Sequence, residues 1–239
     1  MKKKRAKQGP ITAEELMRKL EADPQWVAAQ REREAKRQAW SRVLYAMHEP
    51  LAQDLRKLGF EVETVCDLYN RKQPWRKDLP LPDYRQAIPL LIEHFQRPYS
   101  FEVKEAILRA LIDRHAKKLA FDVVLEEFRR TADPQVAQAE IQRALQPVLE
   151  GAGDYWSREE AEPLLRNRWN SYRHTLGHAL GYMFSKEHIP VIVELLQDER
   201  HSAEIRKFLA RDFLTKLRRW RIEDAELRSV GERYAQLDS

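Results

Sequence analysis

Residues 88–112, IPLLIEHFQRPYSFEVKEAILRALI, and residues 189–214, IPVIVELLQDERHSAEIRKFLARDFL, decide the reading of the fold. Ile88-Pro89 aligns with Ile189-Pro190, Glu93 with Glu194 and Gln96 with Gln197; past one inserted residue, Val103 aligns with Ile205 and Arg109 with Arg211. Proline suits the first turn of a helix, where its missing N–H leaves no bond unmade. The unit returns between these copies at an offset of 33: Leu91 with Val124, Ile92 with Leu125, Glu93 with Glu126, Phe95 with Phe128, Val103 with Val136, Leu108 with Ile141 and Ile112 with Leu145. A third, irregular copy is expected over residues 155–184, with Leu176 and Leu180 standing where Ile141 and Leu145 stood. A fixed period of a few tens of residues marks a stacked architecture. Each short helix pair has an apolar stripe that only a neighbour can bury, and helices under about 15 residues are marginal alone. Four helix-turn-helix units are expected.

The opening Ile-Pro-x-x-(Ile/Val/Leu)-Glu, followed by a second helix of form (Glu)-(Val/Ile)-(Lys/Arg)-x-x-(Leu/Ile)-x-(Arg), resembles HEAT or HEAT-like repeats over residues 83–217. ADPQWVAAQ (22–30) and GFEVETVCDLYN (59–70) are similar to segments that precede the repeats in bacterial HEAT-repeat proteins. The resemblance implies an all-α fold, a right-handed α-α superhelix of about four helix pairs preceded by a long N-terminal helix. Residues 1–82 would be a helical extension and cap with a basic tail, and residues 218–239 a capping helix. It implies a fold and no particular activity. GAGDYWSREEAE (151–162) lacks the Ile-Pro opening and departs from the pattern.

Ahead of the repeats, Thr12-Ala-Glu-Glu15 reads as a capping box, followed by an apolar face at Leu16 and Leu20. Asp23-Pro24 stops that helix and starts another. Residues 25–48 hold no Gly or Pro, and QREREAKRQ (30–38) is polar nearly all round. The pattern predicts a long helix with a solvated middle, packed through Trp26, Trp40, Leu44 and Met47. Pro50 is expected to restart the chain, Gly59 to end the next helix, and EVETVCDLYN (61–70) to form a short helix. Three prolines within 71–82 mark a linker or exposed loop.

Seven glycines in 239 residues, under half the usual frequency of about 7%, argue against a turn-rich sheet protein and a glycine-built phosphate cradle. Cys66, the single cysteine, excludes an internal disulfide and suits a reducing compartment; in its apolar run it reads as an inert core thiol. The longest apolar run, 87–92, is too short to span a membrane, and the basic start has no apolar stretch behind it. A cytoplasmic protein with no membrane partner is expected. The net charge of +5 comes from Lys2, Lys3, Lys4, Arg5 and Lys7, which account for the whole excess of 43 basic over 38 acidic residues.

Repeat alignment places a polar stripe on the inner face of the second helices: Glu105 and Arg109, Gln138 and Gln142, Arg173 and His174, Lys207 and Arg211. A mixed stripe suits a protein or peptide partner, since DNA phosphates favour a continuous run of Lys and Arg. The leading expectation is a non-catalytic scaffold or adaptor, with no cofactor, bound to an unidentified protein partner. The alternative is nucleic-acid binding through Arg211, Lys216, Arg218, Arg219 and Arg221, part of a basic cluster with Arg206 and Lys207 that contains only Asp212 as an acid. Its bland reading is a solvated helix face. Some HEAT-like proteins are DNA glycosylases for alkylated bases that use Trp and Asp, and Asp154, Trp156 and Trp169 are available for that role. Tyr155, Trp156, Trp169 and Tyr172, beside Arg168 and Arg173, suit base stacking less well than packing at an irregular junction. His174 and His178 share a helix face, but no third residue completes a zinc set, so no metal is expected.

Overall fold

The computed structural model describes residues 11–70 and 83–237; the basic tail and the proline-rich segment 71–82 lie outside the described residues. Ten α-helices and no strand are present among them. The first two are α1 (Ala13–Glu21) and α2 (Pro24–Lys57). The expected capping box is present: the Glu15 N–H donates to Thr12 Oγ1, and the Thr12 N–H donates to Glu15 Oε2, each at 3.2 Å. Asp23 Oδ1 accepts from the Gln25 N–H at 2.9 Å, with Pro24 opening α2.

Pro50 does not restart the chain; α2 runs through it unbroken. Proline there removes only the bond to the carbonyl of Ala46, and both residues are exposed, so water replaces the lost donor. Val43, Leu51 and Leu55 bury the helix on either side of that turn. Residues 24–38 contribute no buried side chain. Gly59 ends the helix with φ 89°, its N–H donating to Arg56 O at 2.9 Å and the Phe60 N–H to Leu55 O at 3.1 Å. Only a residue free of Cβ takes this left-handed turn cheaply. The expected helix over 61–70 is reduced to one 3-10 turn, Val65–Leu68. Asp67 Oδ2 draws in the N–H groups of Glu63 and Thr64, each at 2.9 Å, and such side-chain bonds compete with helix.

The two Ile-Pro segments form helix pairs: α3 (Ile88–Gln96) with α4 (Phe101–Leu111), and α8 (Ile189–Gln197) with α9 (Ala203–Trp220). Between them lie α5 (Lys117–Arg130), α6 (Pro134–Ala152) and α7 (Arg158–Met183), and α10 (Ala225–Ala235) follows α9. The irregular third copy is one uninterrupted helix, not a pair. Ser157 and Glu160 start α7 with a capping box, and no proline follows Pro163 to break it.

Helix α7 is central, touching α4, α5, α6 and α9. Contacts advance together along α4, α7 and α9: Glu102 and Glu105 meet Arg168 and Thr175, while His174 and His178 meet Glu204 and Phe208. These three helices therefore run the same way, side by side. Helix α3 packs on α4, α5 on α7 and α8 on α9, with α5 joined to the α8 segment by Arg129–Glu194 and by Phe121 stacked on His188. Helix α5 thus packs on α7, and α6, between them in sequence, packs on α2 and α7. Ile141, Ala144, Leu145 and Val148 form an apolar stripe at the same spacing as that of α4, but a stripe alone does not choose its partner. A buried ionic network ties α4, α5, α6 and α7 together. Glu127 receives Lys104 at 3.3 Å, Arg130 at 2.8 Å and the Tyr172 hydroxyl at 2.9 Å, and Arg130 continues to Glu140 at 3.1 Å.

Candidate functional site

Parallel α4, α7 and α9 leave one face uncovered, and a cavity of about 460 Å³ opens on it. Its floor is α7, through Ser171, His174, Thr175 and His178; Arg109 and Ile112 at the end of α4 form one wall and Phe208 of α9 the other. Spacings of three, four and seven residues put all four α7 side chains on one helix face. Glu105 stands behind the Arg109 wall, accepting from Arg109 Nη2 at 2.7 Å and from Thr175 Oγ1 at 3.2 Å. On the other side His174 Nε2 lies 3.2 Å from Glu204 Oε2. His178 sets its ring edge to face with Phe208, centroids 5.2 Å apart, and Phe208 remains 38% exposed. Burial pushes the Asp212 carboxyl up from its usual range, against the opposing pull of His178 and Lys216. The arrangement offers hydroxyl and imidazole hydrogen bonds, a guanidinium and two apolar walls.

The structure brings together Glu105, Arg109 and His174 from the expected stripe. Lys207 and Arg211 flank Phe208 on α9, within one turn of it. Arg173 is not part of the cavity: it is half-buried, its Nη2 donates to Arg200 O at 3.3 Å, and burial lowers its pKa. Gln138 and Gln142 lie on the inserted α6 and so leave the stripe; Gln142 Oε1 instead accepts from Arg158 Nη1 at 3.0 Å. Ile112, Ser171, Thr175 and Phe208 were not anticipated. Their helical spacing from Arg109, His174 and Lys207 was visible, but which helices adjoin was not. Among the described residues no three His, Cys, Asp or Glu side chains converge as metal ligands.

The basic cluster divides in two. Lys216 turns inward, Nζ donating to the carbonyls of Tyr182 at 2.9 Å and Phe184 at 2.6 Å and lying 3.8 Å from the Phe184 ring centroid. It closes the C-terminus of α7, and burial lowers its pKa to about 8. Arg206 packs over Tyr234 at 5.6 Å. Arg211, Arg218, Arg219 and Arg221 are exposed. Arg211, Arg218 and Lys207 share one face of α9, and among the described residues their side chains make no ion pair.

Three of the four aromatics are used in packing, while Tyr155 is exposed. Trp169 is 2% exposed and meets Phe101 edge-on at 5.4 Å, while the buried Tyr172 bonds Glu127. Trp156 meets Trp40 at 5.2 Å and donates Nε1–H to Lys36 O at 3.1 Å. Arg168 is held by Glu102 at 2.7 Å and lies over Trp40. Cys66 is half-buried, its Sγ 3.2 Å from the Tyr69 hydroxyl. Among the described residues no helix is long and apolar enough to cross a membrane. No family model, curated protein or solved structure matches the chain.

Proposed function

We propose that the chain is a non-catalytic, cytoplasmic protein-binding module of HEAT-like type, and that the α4–α7–α9 face receives a segment of its partner. The observation that carries this reading is an exposed Phe208 forming the wall of a side-chain-sized cavity whose floor is lined by hydroxyls and imidazoles. An apolar anchor point surrounded by polar groups is the usual anatomy of a protein interface. The order α3–α4, α5–α7, α8–α9 supports the HEAT-like part of the reading, because each unit has one helix in the α4–α7–α9 row and one behind it. A row of rigid helices also lowers the ordering cost of association.

The test is an affinity pull-down from the native host after nuclease treatment, comparing the unaltered chain with Phe208→Ala/Arg109→Glu. The proposal expects a stoichiometric protein that the double variant loses while keeping its helical circular dichroism. A partner retained equally by both chains would refute it. Nucleic-acid binding is the second reading, favoured by the unpaired Lys207, Arg211 and Arg218. It requires affinity for an oligonucleotide that falls steeply as salt rises.

A further inference from the structure

We infer that α1 lies on an anionic membrane surface, its apolar face in the headgroup boundary and the basic residues ahead of it against acidic lipid. The inference goes beyond the α4–α7–α9 face and does not depend on it. The expectation of no membrane partner rests on the lack of a spanning segment, and a helix lying in the interface spans nothing.

Ala13, Leu16, Met17 and Leu20 stand three and four residues apart on one face of α1, with Glu14, Glu15, Arg18, Lys19 and Glu21 on the other. Ile11, ahead of the Thr12 cap, holds the position whose apolar side chain commonly packs on the fourth helical residue, here Leu16. Ile11, Leu16 and Met17 are 46%, 49% and 46% exposed, and no residue of α1 is buried. The other exposed large apolar side chains among the described residues, Tyr45, Leu58, Leu119, Tyr155 and Phe208, are scattered over the fold. Helix α2 holds this patch away from the core. It is tied to α7 and the turn before it at Lys36, through Glu160 at 2.7 Å and through the Lys36 carbonyl to Trp156, and from Pro24 to Lys36 it buries no side chain over about 18 Å of helix. A helix of nine residues is marginal without a surface to cover it, and an exposed apolar patch of this kind marks a contact site.

Charge names the surface. Lys2, Lys3, Lys4, Arg5 and Lys7, which account for the whole net charge of +5, directly precede α1 in sequence, and residues 2–21 together hold seven basic and three acidic side chains. Clustered Lys and Arg beside an amphipathic helix favour acidic lipid, and the two signals together hold a protein where either alone binds marginally. Glu14, Glu15 and Glu21 are on the side of α1 that faces water when its apolar side is down. A nucleic acid would use the cations and leave Ile11, Leu16 and Met17 exposed. A second copy of the chain would cover the apolar face and leave the cations unmatched. An anionic bilayer meets both.

The experiment is co-sedimentation of the full chain with phosphatidylcholine vesicles and with vesicles in which about a third of the lipid is phosphatidylglycerol. The anionic vesicles are expected to bind at least about tenfold more tightly than the neutral ones, and to lose at least about tenfold when salt rises from about 0.1 M to about 1 M. Leu16→Glu/Met17→Glu and, separately, Lys2→Gln/Lys3→Gln/Lys4→Gln/Arg5→Gln should each weaken binding at least about tenfold, with the thermal unfolding midpoint unchanged because α1 buries no side chain. Glu14→Gln, on the opposite face, should leave vesicle binding at least as tight. No binding to anionic vesicles, equal binding to neutral ones, or binding that survives either multiple variant would overturn the inference. An oligothymidylate bound through the basic residues while anionic vesicles are not would assign those residues to nucleic acid. A dimer in sedimentation equilibrium without lipid, lost in Leu16→Glu/Met17→Glu, would assign the apolar face to a second copy. Each of these also overturns it. The pull-down with Phe208→Ala/Arg109→Glu reads a different surface, so failure here and failure of the proposed function are told apart.

Discussion

Acid should destabilise this fold well before its carboxylates titrate, and His201 is one of three buried histidines that set the effect, with His48 and His94. Its side chain sits between α8 and α9, 1% exposed, with the ring stacked on Phe128 at 4.1 Å and neither ring nitrogen hydrogen-bonded. Asp198 Oδ2 lies 3.7 Å from Nε2, too far for a hydrogen bond. Burial pushes the His201 pKa down to about 4; the charges of Arg173, Arg200 and Arg206 push the same way, and Asp198 opposes them. The unfolded chain takes up this proton near the ordinary histidine value of 6.5, so between 6.5 and 4 the unfolded state binds more protons than the native state. Stability is therefore fully present above 6.5 and lost as pH falls through that window. At 1.36 kcal/mol per pKa unit, the loss is about 2 kcal/mol between about pH 7 and pH 5, rising to about 3 kcal/mol below pH 4. His48, 5% exposed and likewise lowered to about 4 by burial, contributes a similar amount. His201→Phe keeps an aromatic ring against Phe128 and removes the titration. Urea unfolding followed by circular dichroism should show the natural chain losing about 2 kcal/mol more than the variant between pH 7 and pH 5. A variant that loses as much as the natural chain would refute the assignment to His201.

Other side chains give equally direct tests. A Cβ at Gly181 would meet the Asp212 carboxylate, so Gly181→Ala should lower stability in thermal unfolding by about 1–3 kcal/mol, and Asp212→Ala in the same chain should restore most of it. Glu127→Ala strips the common partner from Lys104, Arg130 and the Tyr172 hydroxyl; chemical denaturation should register about 3–5 kcal/mol, the usual cost of leaving buried charge uncompensated. Lys216→Met should leave oligonucleotide affinity unchanged, since Nζ is committed to two carbonyls. Lys216 also has a pH signature. With its pKa lowered to about 8 from 10.5, the native state binds fewer protons than the unfolded one between those values, so the natural chain should gain stability across that range and the methionine variant should gain less.

Local signals and the first and last helix pairs were legible because each rests on residues adjacent in sequence. The Thr12 capping box, the Asp23-Pro24 junction, the Gly59 stop and the two Ile-Pro helix pairs are of this kind. Pro50 was misread because sequence shows the loss of one helical bond, whereas exposure of Ala46 and Pro50 makes that loss cheap. The middle of the molecule was less legible. Helix α6 has the same amphipathic spacing as α4, and only the packing shows that α7 takes the place beside α4 while α6 turns toward α2. The candidate site inherits that difference. Glu105, Arg109 and His174 were identified from helices that do occupy the row, Gln138 and Gln142 from one that does not. Lys216 was grouped with its exposed neighbours because its charge is visible in sequence and its carbonyl acceptors, more than thirty residues earlier, are not.

The proposed binding face is tested most directly by placing a photocrosslinking amino acid at Ser171, on the floor of the groove, and in a separate chain at Gln138, exposed on α6. Both chains would be irradiated in the native host and their adducts identified by mass spectrometry. The account predicts a defined protein adduct at Ser171 that Phe208→Ala diminishes, and no such adduct at Gln138. The same protein captured at Gln138 and absent at Ser171 would contradict it.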